Sequence, residues 1–255
     1  MRVAALSDIH GNRPALDAVL AEVDADLILV GGDLAAGPWP SETMERLMEL
    51  GDRVRFIRGN ADREVAAPSE RKGLAPPHLM EFARERLSPE QLAFLASLPL
   101  TETVEVDGLG SVLFCHATPR DDEELLTRIS PDEHWRAALE GARESVVVFG
   151  HTHVQFERDV GDVHLVNAGS VGMPYEHEPG AYWALLGPGI ELRRTQYELG
   201  DIAASGWPDE VPQVGPDEAT EYFEKFALER HGPSDRRPGG QVTRPGRFVR
   251  RRECE

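Results

Sequence analysis

Between Arg2 and Ile57 the hydrophobic period changes four times, and this alternation limits the available folds more than any other feature of the chain. Arg2 to Leu6 reads as a short buried strand. Leu16, Val19, Leu20 and Val23 then recur at helical spacing, Leu27 to Val30 is a second strand, Met44, Leu47 and Met48 mark a second helical face, and Val54 to Ile57 is a third strand. Strand, helix, strand, helix, strand is the pattern of an α/β domain built on a largely parallel sheet.

The following segment stays helical. Leu79, Phe82, Ala83 and Arg86 share a face, and Ser88-Pro89-Glu90 has the cap and first-turn chemistry of a further helix running through Leu98. After Thr101 the period becomes that of strands. Thr101 to Val106 and Ser111 to Cys115 flank Asp107-Gly108-Leu109-Gly110, which predicts a hairpin. Residues 132–141 are expected to be helical and Val146 to Phe149 a strand; Val163 to Val166, Trp183 to Leu186 and Ile190 to Arg194 are expected to be further antiparallel strands. Neither a linker nor a repeat divides this region, so both halves are expected to share one fold.

Charge and cysteine content exclude several function classes. The 255 residues carry a formal net charge of -18, which opposes nonspecific binding to nucleic acid or to anionic membrane, because both need a positive field. Cys115 and Cys254 are too far apart to build a disulfide framework or a zinc ribbon, and a reducing cytoplasm is the expected compartment. The apolar start is too short for a signal peptide, and no uncharged run approaches the roughly 18 residues of a membrane span. Residues 201–230 are expected to form a helical extension, with Ala219, Tyr222, Phe223, Phe226 and Ala227 on one face packing on the same chain; a homodimer through this face is the other possibility. Residues 231–255 hold seven arginines against three acids among many prolines and glycines, a composition that predicts disorder.

Each apolar strand is followed by the same kind of punctuation. Asp8 and His10 follow the first, Asp33 the second, Asn60 and Asp62 the third; His116 follows the strand ending at Cys115, and His151 and His153 follow Val146 to Phe149. In open α/β sheets ligand-binding groups gather outside the carboxyl ends of strands. A single Asp there is ordinarily a cap or turn residue, and His78, His134, His164, His177 and His231 are assigned to the surface or to satisfied positions. Asp8, His10, Asp33, Asn60, His116, His151 and His153 together at strand ends require more than capping. Oxygen and imidazole donors without thiolate suit divalent Mn, Fe, Co or Zn, and seven ligands are too many for one four-coordinate ion but suit two ions sharing a carboxylate. Cys115 is expected to point into the core.

These blocks resemble the ordered motifs of the calcineurin-like metallophosphoesterase superfamily, and stand here as Asp8-Ile9-His10, Gly32-Asp33, Gly59-Asn60, His116 and Gly150-His151-Thr152-His153. The later stretch LVNAGSVGMP, residues 165–174, resembles the N-x-G-S-V-G segment of small bacterial phosphodiesterase-type members, extending the likeness over roughly residues 1–195. The resemblance implies a four-layer α/β/β/α sandwich over residues 1–200, with a dinuclear metal site at the carboxyl ends of its strands. It implies that Asp8, His10 and His153 hold one metal, that Asn60, His116 and His151 hold the other, and that Asp33 bridges them. Two divalent ions are implied as cofactors, Mn first, with Fe, Zn, Co or Ni as alternatives. A metal-bound hydroxide would attack phosphorus in line, on a phosphodiester or other small phosphorylated molecule.

One departure bears on catalysis. Many members read G-N-H-[DE], with a histidine near the leaving group; this chain reads Gly59-Asn60-Ala61-Asp62, and Ala61 donates no proton. Asp62 and Asn60 are expected as catalytic residues, Asp62 by orienting a ligand or backbone amides, with helix capping as its plainer role. Asn12 and Arg63 are expected to bind substrate, Arg63 with Arg13 as a further candidate for a local positive pocket. Leu74 to Pro77 and Met173 to Pro179 are the loops expected to set specificity, with Tyr175 and Glu176 either lining the pocket or packing. The competing functions are a non-catalytic scaffold, as in the superfamily's retromer subunit, and a dinucleoside polyphosphate hydrolase or protein phosphatase. A scaffold need not keep the full ligand set that this chain carries.

Overall fold

The computed structural model describes residues 1–67, 74–208 and 214–231. Two five-stranded sheets stack face to face. In the first, β1 (Val3–Leu6), β2 (Leu27–Val30) and β3 (Val54–Phe56) run parallel, and β9 (Ala181–Leu186) and β10 (Ile190–Thr195) add antiparallel strands in the order β10-β9-β1-β2-β3. In the second, β4 (Thr101–Val106), β5 (Gly110–Cys115), β6 (Val146–Phe149), β7 (Phe156–Val160) and β8 (Val163–Asn167) take the order β4-β5-β6-β8-β7.

Both faces of each central strand are buried, which is why these strands read as continuous apolar runs and not as alternating ones. Val3, Ala5, Leu27 and Leu29 meet Val112, Phe114, Val146 and Val148 between the sheets. Their neighbours Ala4, Leu6, Ile28 and Val30 turn outward onto Leu16, Val19, Met44 and Leu47 of α1 (Arg13–Glu22) and α2 (Pro40–Met48). That layer continues through α3 (Asn60–Ala66), α4 (Pro77–Arg86) and α5 (Pro89–Ser97). The outer face of the second sheet covers Leu113, Cys115, Val147 and Phe149 with Trp135 and Ala138 of α6 (Asp132–Ala138). Helix, sheet, sheet, helix is the expected layering, and Cys115 lies inside it as a free buried thiol whose ionisation burial opposes.

One expectation about strands is corrected, and one strand is added. Val163 to Val166 pairs in parallel with β6, from Val146 opposite His164 to Phe149 opposite Asn167, and antiparallel only with β7. Strand β7 has the sequence Phe-Glu-Arg-Asp-Val, with apolar residues only at its ends. An edge strand needs no second apolar neighbour, so its polar centre concealed it from periodicity. Helix α6 stops at Ala138, three residues earlier than the pattern predicts.

Beyond β10 come a short α7 (Ile202–Ser205) and α8 (Pro216–His231). Ala219 and Phe223 of α8 pack on Leu125 and Val154 of the same chain, with Tyr175, Tyr222, Phe226 and Ala227 around them. Of the basic segment 231–255, residues after His231 lie outside the described residues. Among the described residues no helix is long and apolar enough to cross a membrane.

Candidate metal centre

The carboxyl ends of β1, β2, β3, β5 and β6 converge on one rim of the sandwich, and the backbone there is unusual. Among the described residues five non-glycine residues have positive φ: Asp8 (54°), His10 (46°), Asp33 (54°), His151 (67°) and His153 (57°). All five are among the seven predicted ligands. Left-handed backbone is costly for a residue with a Cβ and persists where the surroundings over-determine it, a condition that clusters at functional sites.

The surroundings here are dense. Asp8 N–H donates to Gly32 C=O, His10 N–H to Asp33 C=O, and His151 N–H to Asp8 Oδ2 at 2.8 Å. Gly59 and Gly150 are required by close approach: a Cβ on Gly59 would collide with Asp33 Oδ1, and one on Gly150 with Asp8 Oδ2. The glycines of the G-N and G-H motifs are thus room for the neighbouring carboxylates.

The side chains converge with their lone pairs facing inward. His10 Nδ1 bonds Ala36 C=O at 3.1 Å, His153 Nδ1 bonds Met173 C=O at 2.6 Å and His116 Nδ1 bonds Gly31 C=O at 2.7 Å. A ring that donates Nδ1–H to a carbonyl presents Nε2 as a free acceptor, the usual arrangement of a metal-binding histidine. His10 Nε2 and His153 Nε2 then lie 3.1 Å apart. His116 Nε2 lies 3.1 Å from both Asn60 Oδ1 and His151 Nδ1. His151 therefore turns Nδ1 toward the cluster and leaves its buried Nε2 with no hydrogen bond.

The two carboxylates sit between these rings. Asp33 Oδ2 is 3.7 Å from His10 Nε2 and Asp33 Oδ1 is 3.6 Å from His116 Nε2, so one carboxylate addresses both sides. Asp8 Oδ1 is buried without a hydrogen bond and faces His153, His10 and His116 Nε2 at 3.2, 3.9 and 3.9 Å. Ligand atoms of Asp8, His10 and His153 lie within 4.8 Å of one another, as do those of Asp8, Asp33 and His116. An orphaned buried carboxylate oxygen ringed by imidazole acceptors is expensive unless a cation compensates it. The donor set fits divalent ions on both sides of Asp33.

The electrostatics agree. Burial opposes ionisation of Asp8, but His153, His116 and His10 outweigh it and hold the carboxyl well below its usual range. Burial and then His116 push His151 down to about 3, and burial with His153 lowers His10, so both rings are neutral acceptors at pH 7. Burial also acts to lower His116, but Asp33 and Asp8 reverse the sign and raise it.

The other predicted residues are placed as follows. Asp62 accepts backbone N–H groups from Asp33 (2.8 Å) and Gly59 (3.0 Å) on Oδ2 and from Leu34 (2.8 Å) on Oδ1, so its carboxylate ties the Asp33 loop to the start of α3 and caps that helix as well. Burial and the adjacent Asp33 raise its pKa to about 7. Ala61 contributes its backbone, donating N–H to Asp33 Oδ1 at 2.8 Å. Asn12 caps α1 through Ala15 N–H and donates its amide to Gly172 C=O and Tyr197 Oη. Arg63 is engaged by Asp122 (3.1 Å) and Glu123 (3.3 Å), and Arg13 by Asp17 and Glu42 C=O. The side chains of Asn12, Arg63 and Arg13 thus each engage partners within the fold.

Two residues missed as functional hold the rim together. Asn167 Nδ2 donates to Gly150 C=O and Thr152 Oγ1 beneath the two histidines, and Ser170 Oγ donates to Asp8 C=O while accepting Met173 N–H. Their signal was the N-x-G-S-V-G stretch itself, whose spacing resembles the small bacterial enzymes but whose polar residues reveal their partners only in three dimensions.

Comparison with known proteins agrees with this geometry. Residues 1–186 match the calcineurin-like phosphoesterase superfamily domain. The phosphodiesterase YfcE of Escherichia coli is 25% identical over 197 residues, covering 72% of this chain and 87% of that protein. A symmetrical bis(5'-nucleosyl)-tetraphosphatase of Acidovorax ebreus is 26% identical over 250 residues, covering 85% of this chain and 87% of that protein. A crystal structure of a hypothetical protein from Pyrococcus horikoshii shares the fold with a TM-score of 0.71 at 20% identity, over 87% of this chain and 97% of that one. The chain belongs to the calcineurin-like phosphoesterase superfamily, a family of hydrolases.

Proposed function

We propose that this protein is a two-metal phosphodiesterase acting on a small phosphorylated molecule. The observation that carries the reading is the rim itself: five of seven ligand positions held in left-handed backbone, with Asp33 facing histidines on both sides. Asp8, His10 and His153 would hold one ion, Asn60, His116 and His151 the other, and Asp33 would bridge. Ions bound there supply Lewis-acid charge for the phosphoryl oxygens and lower the pKa of an attacking water. Oxygen and imidazole donors without thiolate suit Mn, Fe, Zn, Co or Ni, and Mn is the ion proposed first.

The chain's own residues orient and hold. Asp62 holds the Asp33 backbone N–H and Ala61 N–H the Asp33 carboxylate, and Asn167 and Ser170 fix the loops that carry Asp8, His151 and His153. Ala61 supplies no proton to the leaving group, and a general acid is worth about 10² to 10⁴ in rate. The enzyme would therefore favour substrates with good leaving groups, or use another group or a water as the acid. Residues 1–200 form the phosphoesterase domain and 201–230 its helical extension. The widely spaced cysteines and the buried free thiol of Cys115 support a cytoplasmic setting.

The test is hydrolysis of chromogenic phosphodiesters by the purified protein with Mn²⁺, across a series of leaving-group pKa values. Metal-dependent turnover that falls steeply with rising leaving-group pKa is expected. A flat dependence would remove the missing-acid argument, and no turnover on any diester would shift the reading to a monoester or to a scaffold.

A further inference from the structure

We infer that Tyr175 is a positioning residue for the metal centre, clamping His153 from outside the ligand set and coupling it to the C-terminal helix. The clamp has three parts, all from one short loop. Met173 C=O accepts His153 Nδ1–H, Tyr175 N–H donates to His153 C=O at 3.0 Å, and the Tyr175 ring stacks on the His153 ring with centroids 4.9 Å apart and planes 22° from parallel. His153 also sits at φ 57°, so its backbone lacks the support of a regular element and depends on these contacts. His151, on the other side of Asp33, is stacked by no such residue among the described residues; its ring meets His116 edge-on.

Behind Tyr175 stands α8. The Phe223 ring packs on Tyr175 at 6.1 Å, and Ala219 and Phe223 join Leu125 and Val154 in one buried cluster. Polar contacts fix the helix in place: Glu224 accepts from Thr127 Oγ1 and Ser130 Oγ, and Arg128 pairs with Asp217. The connected path runs from α8 through Phe223 and Tyr175 to His153. The helical extension thus supports His153 through Tyr175.

This inference rests on the two-metal reading and predicts an asymmetry within it. An outer-shell partner of a metal ligand typically controls affinity by about 10- to 100-fold. Mn²⁺ affinities of the full chain, measured by competition with a chelator of known affinity, are expected to show one of the two ions weakened on that scale in Tyr175→Leu while the other is unchanged. Tyr175→Phe, which keeps the ring and loses only the hydroxyl, restores wild-type affinity, and Phe223→Ala weakens the same ion less.

A metal-free readout accompanies it: the imidazole nitrogen resonances of His153 broaden in Tyr175→Leu while those of His116 stay sharp. Equal weakening of both ions, unchanged affinities, or a Tyr175→Phe as weak as Tyr175→Leu would overturn the clamp. If Tyr175→Leu does not fold, Phe223→Ala carries the same test. A wild-type protein that binds no Mn²⁺ sinks the two-metal reading itself, whereas two tight ions that ignore Tyr175 sink only this inference.

Discussion

The two ends of the sandwich use left-handed backbone in opposite ways. At the end where β5, β6 and β8 begin, and in the β9–β10 hairpin, positive φ falls on Gly108, Gly110, Gly141, Gly161 and Gly187. At the other end it falls on Asp8, His10, Asp33, His151 and His153 as well as on glycines. Left-handed backbone costs an L-residue roughly 1–2 kcal/mol, and glycine almost nothing. The first end is therefore built for stability alone, and the second holds strain in order to aim side chains. The difference separates scaffold from site without reference to any relative.

The largest effect that sharpens this contrast is expected at Asp33. Asn is nearly isosteric and is tolerated in the left-handed region, so Asp33→Asn should keep the loop while removing the charge that faces both histidine groups. Phosphodiester hydrolysis should fall by well over the roughly 100-fold typical of an outer-shell loss, while the melting temperature of the metal-free protein stays within experimental scatter or rises. Residual turnover within tenfold of wild type would mean that Asp33 is not the shared ligand.

Next in size is Asn167→Ala. The amide holds Gly150 C=O and Thr152 Oγ1 beneath His151 and His153, so its loss should weaken metal binding by about 10- to 100-fold and lower kcat/KM at subsaturating Mn²⁺. Saturating Mn²⁺ should recover most of the rate. Failure of excess metal to rescue would show that Asn167 supports the fold and not the site.

The contrast between the two ends also explains what the sequence disclosed. Asp8, His10, Asp33, Asn60, His116, His151 and His153 were legible because strand ends are marked by apolar runs and because few other roles need those residue types together. Their φ values were not, since left-handed backbone at a non-glycine is imposed by tertiary hydrogen bonds such as Asp8 N–H to Gly32 C=O. For the same reason the partners of Arg63 were hidden: Asp122 and Glu123 lie about sixty residues away. Strand β7 escaped because an edge strand with a polar centre has no period to find, and Tyr175 was named only as pocket lining or packing because its stacking on His153 leaves no local trace.

Removal of metal tests the strained end as a whole. A ligand that binds only the folded state stabilises it by RT ln(1 + [L]/Kd), about 2.7 kcal/mol at a concentration of 100 Kd. Chelation should therefore lower the melting temperature by about 5–10 °C for a domain of this size, and Asp33→Asn should show little of this shift because it has little metal to lose. A wild-type protein whose melting curve ignores both chelator and Mn²⁺ would leave the strain at the rim without its proposed compensation.

The smallest effect on activity is expected at the opposite end. Gly161 sits at φ 65° in the β7–β8 turn, and a Cβ placed there meets nothing within 4 Å, so Gly161→Ala adds backbone strain without a clash. Chemical denaturation should show a loss of about 1–2 kcal/mol, with Mn²⁺ affinity and kcat unchanged. The same cost that the rim bears at five ligand residues would then be seen alone, at a position where it aims nothing. If Gly161→Ala is neutral for stability, left-handed backbone is cheaper in this fold than argued, and the five positive φ values lose their weight as a marker of the site; if it also lowers metal affinity, the two ends are mechanically coupled through β8 and Asn167.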